Sequence, residues 1–195
     1  MSITLAAAAA HELVVKHSRF LAHAAPVEDA DAASALIAAV SVPDATHNCW
    51  AWRIGSAYRS SDDGEPAGTA GRPILAAIDG QGLDGVVVVV TRWYGGIKLG
   101  AGGLVRAYGG AAAECLRTAE RREVVEMAEV EVDCPFADIA AVHAALPAFG
   151  AEKLREDYAT DGVRFRLRLP AGNVAAFATR LRDATRDRAR MGDNG

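Results

Sequence analysis

Val86-Val87-Val88-Val89-Val90-Thr91-Arg92-Trp93-Tyr94-Gly95-Gly96-Ile97-Lys98-Leu99-Gly100-Ala101-Gly102-Gly103-Leu104-Val105-Arg106-Ala107-Tyr108-Gly109-Gly110 is the stretch on which the fold turns. Its continuous β-branched run, bounded by Gly85 and Thr91, predicts a strand buried on both faces. Tyr94 to Gly100 reads as a glycine loop. From Gly102 to Ala119 the residues Leu104, Tyr108, Ala111 and Cys115 share one helical stripe. A strand therefore runs through a glycine loop into a helix. The N–H groups at a helix start attract anions, and glycines let an anion approach the backbone. Arg92, Lys98 and Arg106 add positive charge around Gly95, Gly96, Gly100, Gly102 and Gly103. Two readings remain: a cradle for phosphate, or a tight loop with close helix–sheet packing. The known nucleotide codes fail. Gly95 and Gly100 have P-loop spacing, but Ala101-Gly102 stands where Lys-Ser/Thr is needed. Gly100 and Gly102 begin a dinucleotide fingerprint, but Val105 takes the third glycine position.

Working outward, fourteen of the nineteen glycines fall between Gly55 and Gly110, which marks this region as ordered and tightly turned. Two further segments carry chemistry. Ser61-Asp62-Asp63-Gly64-Glu65-Pro66-Ala67-Gly68-Thr69-Ala70-Gly71 groups three carboxylates with Thr69, just before Arg72. Such a cluster can act as an acid–base pair or bind metal. It can equally serve turns, helix caps or an ion pair with Arg72 or Arg92. His47-Asn48-Cys49-Trp50-Ala51-Trp52 alternates like a strand, with His47 and Cys49 on one face and both tryptophans on the other. Two ligands do not make a zinc site, and no orienting third group marks a thiol nucleophile. No metal or cofactor is expected.

The remaining pattern predicts strands over 12–15 and 18–25, a helix over 29–40 and a strand over 48–54. A polar loop over 60–69 and a short helix over 72–78 follow. A charged run near Arg121 to Glu126 places a boundary between domains 1–122 and 123–195. The second unit predicts a strand over 124–132, a helix over 136–146, a hairpin over 153–158 and 163–169, and a helix over 174–184. That order is β-α-β-β-α. A ferredoxin-like plait needs one more strand, which the charged tail from Thr185 leaves missing or supplied elsewhere. Arg164, Arg166 and Arg168 line one face of a strand, as an RNA-facing surface or as a solvated face balanced by acids.

The 195 residues suit one domain or two small ones. The net charge of −4 means that nucleic-acid binding needs a local basic patch. Cys49, Cys115 and Cys134 are odd in number and widely spaced, which argues for a reducing, cytoplasmic setting. Neither a signal peptide nor a membrane span is expected.

The segments Asp44 to Trp52, Ser61 to Leu75 and Arg92 to Gly110 together resemble the IMPACT / YigZ family in content, order and spacing. The resemblance extends more loosely over nearly the whole chain. It implies an α+β, two-domain fold. The first domain would be like the second domain of a small-subunit ribosomal protein, and the second would be ferredoxin-like, like the fifth domain of the translocation elongation factor. Eukaryotic members are translational regulators that compete for a partner activating a stress kinase, and no reaction is established for the family. The expectation is a non-enzymatic, translation-associated regulator. It would bind ribosome, RNA or another phosphate-bearing partner through the glycine-rich basic surface. Two rivals stand beside it: a hydrolase or phosphotransferase using Asp62, Asp63, Glu65 and His47, and a scaffold for a protein partner.

Overall fold

The valine run is the middle strand of an antiparallel sheet. The computed structural model describes residues 2–192, in two units that divide between Val124 and Val125. The first unit holds β1 (Ser2–Leu5), β2 (Ala9–Val15), β3 (Ser18–Pro26), α1 (Ala30–Val40), β4 (His47–Ile54), β5 (Ala57–Ser61), α2 (Gly71–Gly80), β6 (Val86–Trp93), α3 (Ala101–Thr118) and β7 (Arg121–Val124). Five strands pair in the order β2-β3-β6-β4-β5, every neighbour antiparallel. Val86, Val88 and Val90 pack with α2 and α3 in the main core, while Val87 packs with Trp52 and α1 on the opposite face. All five valines are fully buried, each worth about 1.5–3 kcal/mol. Both helices that follow the motifs, α2 and α3, lie on the face that carries His47 and Cys49.

The end of β6 is tied to the β2–β3 hairpin. Lys16 and His17 form its two-residue turn with φ of 45° and 67°, the left-handed geometry that Asn-Gly usually supplies. Ser18 Oγ accepts from Gly95 N at 3.1 Å and from Arg92 Nη2 at 3.4 Å. A Cβ on Gly95 would lie 2.0 Å from the His17 carbonyl carbon. Only glycine lets the loop after β6 pass this close to the turn.

The second unit holds β8 (Met127–Pro135), α4 (Ile139–Ala145), β9 (Glu152–Tyr158), β10 (Gly162–Pro170), α5 (Val174–Thr185) and β11 (Arg190–Met191). Its sheet order, β11-β8-β10-β9, completes the ferredoxin-like plait. The last strand is present but only two residues long. Val163, Phe165, Leu167 and Leu169 point into the core, and the alternate arginines meet acids. Arg164 pairs with Asp133, Arg166 with Glu131 and Arg168 with Glu152. That arginine face is a balanced ionic surface rather than a basic one.

Three sequence expectations need correction. The polar loop begins later than Ser60, because Ala57–Ser61 pairs with β4 as an edge strand. The single strand over 124–132 is two strands, since Arg121–Val124 turns away to pair with Ser2–Leu5. The helix over 136–146 opens as a 3-10 turn at Phe136–Asp138 before α4 starts. A tight hairpin through Gly55-Ser56 decides the first, and a pairing partner far along the chain decides the second. Among the described residues no helix is long and apolar enough to cross a membrane.

Gly95→Ala is expected to lower stability by about 3 kcal/mol or more, through collision with the turn backbone. Gly96→Ala has open space and a φ of +85°, so it should cost only about 1–2 kcal/mol. Paired urea denaturation curves check this, and equal losses would contradict the close approach.

Candidate functional site

The three chemistry-bearing segments meet in space. β4 carries His47, the loop before α2 carries Asp62 to Thr69, and β6 with the glycine loop carries Arg92 to Gly100. Between them lies a cleft of about 360 Å³, lined by His47, Glu65, Arg92, Tyr94, Lys98 and the start of α3 at Gly100 and Ala101, among others.

Glu65 and Arg92 form the floor. Arg92 Nη1 donates to Glu65 Oε1 at 2.5 Å, and their side chains are 6% and 4% exposed. The Tyr108 hydroxyl donates to the same oxygen at 2.7 Å. The Arg92 guanidinium lies 5.5 Å from the ring centres of both Phe20 and Tyr94. Its Nε–H is buried and has no hydrogen-bond partner among the described residues. Stripping two ions of water costs several kcal/mol each, so the pair adds little net stability while intact. Losing one partner strands the other charge, at about 3–5 kcal/mol. Arg92 therefore does not present a free cation to phosphate, as the sequence reading expected of it.

The carboxylate loop divides its labour. Asp62 faces α2: Oδ1 accepts from Ala70 N at 3.0 Å and Gly71 N at 2.8 Å, and Oδ2 from Gly68 N at 2.7 Å. It thus satisfies N–H groups at a helix start that no neighbouring side chain caps. Burial alone would raise its pKa, but these three donors, with Arg72, hold it below the ordinary carboxylate range. Asp63 Oδ2 accepts from Asn48 N at 2.6 Å. Thr69 Oγ1 donates to Pro66 O at 2.6 Å and closes the turn. Asp62 and Asp63 are thus engaged by the backbone, and only Glu65 of the three carboxylates reaches the cleft. The ion pair with Arg92 and the helix cap, both open at the sequence level, are what the loop builds.

His47 Nδ1 lies 2.6 Å from the Asp63 carbonyl oxygen, and Nε2 lies 3.9 Å from Glu65 Oε2. Gly64, at φ +84°, leaves room for the imidazole, 3.4 Å from where a Cβ would stand. Cys49 lies deeper on the same face and donates to Asp62 O at 3.0 Å. Burial, with nearby Glu65 and Asp63, pushes its thiol up to about 12, so it is no thiolate at neutral pH. All three cysteines are free and buried. Among the described residues no three metal-ligating side chains converge.

Of the cationic candidates, Lys98 lies exposed at the cleft and Arg106 is exposed on α3. Leu99 joins the cleft to a groove of about 170 Å³ lined by Lys16, Gly103 and Arg106, among others. Gly100 begins α3 at φ 71°, and among the described residues no side chain caps the first N–H groups of the helix. Gly96 and Gly102 are exposed. Sequence reading passed over Lys16, Ser18 and Tyr108 as site residues. Tyr108 left a signal: a tyrosine on a buried helical stripe needs a polar partner, and the carboxylates Asp62, Asp63 and Glu65 were all still unassigned.

The fold and the cleft define a two-domain α+β protein whose first domain brings a buried acid, an imidazole and a basic helix start together. The Impact N-terminal domain matches residues 16–116, and a domain of unknown function (DUF1949) matches residues 132–188. The chain is 51% identical over 176 residues to the IMPACT family member in pol 5'region of Thermus thermophilus, covering 90% of this chain and 97% of that one. It is 39% identical to IMPACT family member YigZ of Escherichia coli, covering 88% and 87%. Protein IMPACT of Rattus norvegicus is 39% identical over 95 residues, 44% of this chain and 29% of its own. A crystal structure described only as that of a hypothetical protein matches with a TM-score of 0.70 and 36% identity, over 97% of this chain and 95% of its own. The chain belongs to the IMPACT family.

Asp62→Asn puts an NH2 where one of the two accepting oxygens stands, and is expected to destabilise the protein by about 1–3 kcal/mol at pH 7. A depressed carboxyl pKa stabilises the fold above the ordinary value near 3.9 and loses that contribution as pH falls below it. The gap between wild type and variant should therefore shrink at about pH 3. Urea midpoints at both pH values check this; a constant gap would mean that the charge plays no part.

Proposed function

We propose that the first domain is a non-enzymatic, translation-associated module that contacts RNA, free or on the ribosome, at the start of α3. The observation that carries this reading is a set of uncompensated charges. Lys16, Lys98 and Arg106 are exposed around Leu99, and none makes an ion pair among the described residues. The arginines of β10, by contrast, are all paired. A protein of net charge −4 that leaves three cations unpaired in one place has a local field for a polyanion. The uncapped N–H groups of α3 add partial positive charge in the same place. Tyr94 is 46% exposed and offers a ring for an unpaired base.

A protein partner is the second reading. Ile97 and Val105 are 43% and 41% exposed near the same loop, which favours an apolar contact.

Co-sedimentation with ribosomes and with free single-stranded RNA across a salt series separates the two. RNA binding should weaken with salt, and the triple variant Lys16→Glu, Lys98→Glu, Arg106→Glu should abolish it. Single charge-to-glutamine variants should each lower the log–log salt slope by about 0.7. Salt-insensitive ribosome binding that survives the triple variant would overturn the RNA reading in favour of the apolar contact.

A further inference from the structure

The cleft floor presents an unusual pair of atoms. The Asp63 carbonyl can only accept a hydrogen bond, so His47 Nδ1, 2.6 Å away, carries the hydrogen. In the neutral imidazole Nε2 is then a bare acceptor. On Glu65, Oε1 takes the bonds from Arg92 and Tyr108, and no hydrogen bond reaches Oε2 among the described residues. Oε2 belongs to a side chain only 4% exposed, and it faces Nε2 across 3.9 Å. Two acceptors, one of them on a carboxylate nearly removed from water, thus look at each other over a gap open to the cleft.

A hydroxyl has one hydrogen and leaves one of the two unsatisfied. A carbonyl oxygen adds a third acceptor and is repelled. An amino group on a flat ring has two N–H bonds on one atom, about 120° apart, and answers both. At N···acceptor distances of about 2.9 Å, acceptors 3.9 Å apart require each bond to bend by only about 20°. The surroundings fit the rest of a nucleotide. Tyr94 lies on the cleft wall with its ring beside the Arg92 guanidinium, and the residue is nearly half exposed. Lys98 and the start of α3 stand at the same cleft for a phosphate. A volume of about 360 Å³ holds one nucleotide rather than a duplex.

We propose that this cleft captures one unpaired base of single-stranded RNA by its exocyclic amino group, which donates to Glu65 Oε2 and His47 Nε2. The inference rests on the RNA reading above and adds base selectivity to it. Cytosine, adenine and guanine carry such a group, and uracil places a carbonyl oxygen there. Uracil is rejected because its oxygen meets two acceptors and leaves the buried carboxylate without a donor.

The test uses the full chain with cytidine and uridine oligonucleotides about 12 nucleotides long, at one salt concentration, by fluorescence anisotropy. Equal length gives equal phosphate charge, so the electrostatic contribution cancels in the ratio. Cytidine oligomers should bind about tenfold tighter or more, the usual scale for a two-bond base contact. Cytidine oligomers dimethylated on the amino nitrogen should fall to the uridine level. His47→Asn keeps a donor for the Asp63 carbonyl and deletes Nε2, so the ratio of cytidine to uridine affinity should fall to about one, both by weaker capture of the amino group and by relief of the repulsion that rejects uracil. Equal, salt-sensitive binding of both oligomers overturns this inference and leaves the RNA reading standing. So does a preference that survives in His47→Asn. Absence of binding to either oligomer overturns both.

Discussion

A guanidinium and a carboxylate, both almost stripped of water, sit where the three motifs of the first domain converge. The Arg92–Glu65 pair joins β6 to the loop before α2, and Tyr108 joins both to α3. Each element then inherits a fixed place. Arg92 is stacked near Phe20 and Tyr94 and bonded to Ser18, which is bonded in turn to Gly95. Glu65 is set by the turn that Thr69 closes and by the α2 start that Asp62 satisfies. A buried ion pair is a poor source of net stability, because desolvation nearly offsets attraction. Its value here is positional. With one charge stranded if the loop strays, the geometry of the cleft is held to a single arrangement.

The same pair explains why the conspicuous charges of the first domain do two different jobs. Arg92 and Glu65 neutralise each other inside, so the field at the surface comes from Lys16, Lys98 and Arg106. Asp62 is consumed by backbone N–H groups, and Asp63 by Asn48. What remains reachable at the cleft is one carboxylate oxygen and one imidazole nitrogen, next to a basic helix start. In the second unit the arginines are cancelled across the sheet by Asp133, Glu131 and Glu152. Equal net composition in sequence thus yields one local basic surface and one balanced one.

Much of the architecture was legible because it is written in short-range pattern. The valine run, the α3 stripe and the alternation of Val163, Phe165, Leu167 and Leu169 against arginines each report burial through periodicity. The motif segments carried the family resemblance, and with it the two-domain α+β fold. Apart from β5, which folds straight back on β4 through Gly55-Ser56 as a short polar edge strand that reads as loop, most of the misses share one cause. β1 and β7 and the two-residue β11 are made by pairing with distant segments, and no local period announces a partner. The Lys16-His17 turn is a case of the same kind. Its left-handed geometry runs against the preference of both residues and is held by contacts to Gly95 and Ser18.

The amino-acid sequence by itself determined which chemistry the first domain possesses: a glycine loop, three cations, three clustered carboxylates and a histidine two residues before a cysteine. It also determined that Glu65 and Arg92 were available to pair, without saying that they do. Only the tertiary structure decided the division of labour. Whether a carboxylate caps a helix, neutralises a buried arginine or faces a cleft depends on which backbone N–H groups and which side chains the fold brings within about 3 Å of it. That distance is set by strand register and helix packing over the whole domain. No window of sequence short enough to be read locally contains it.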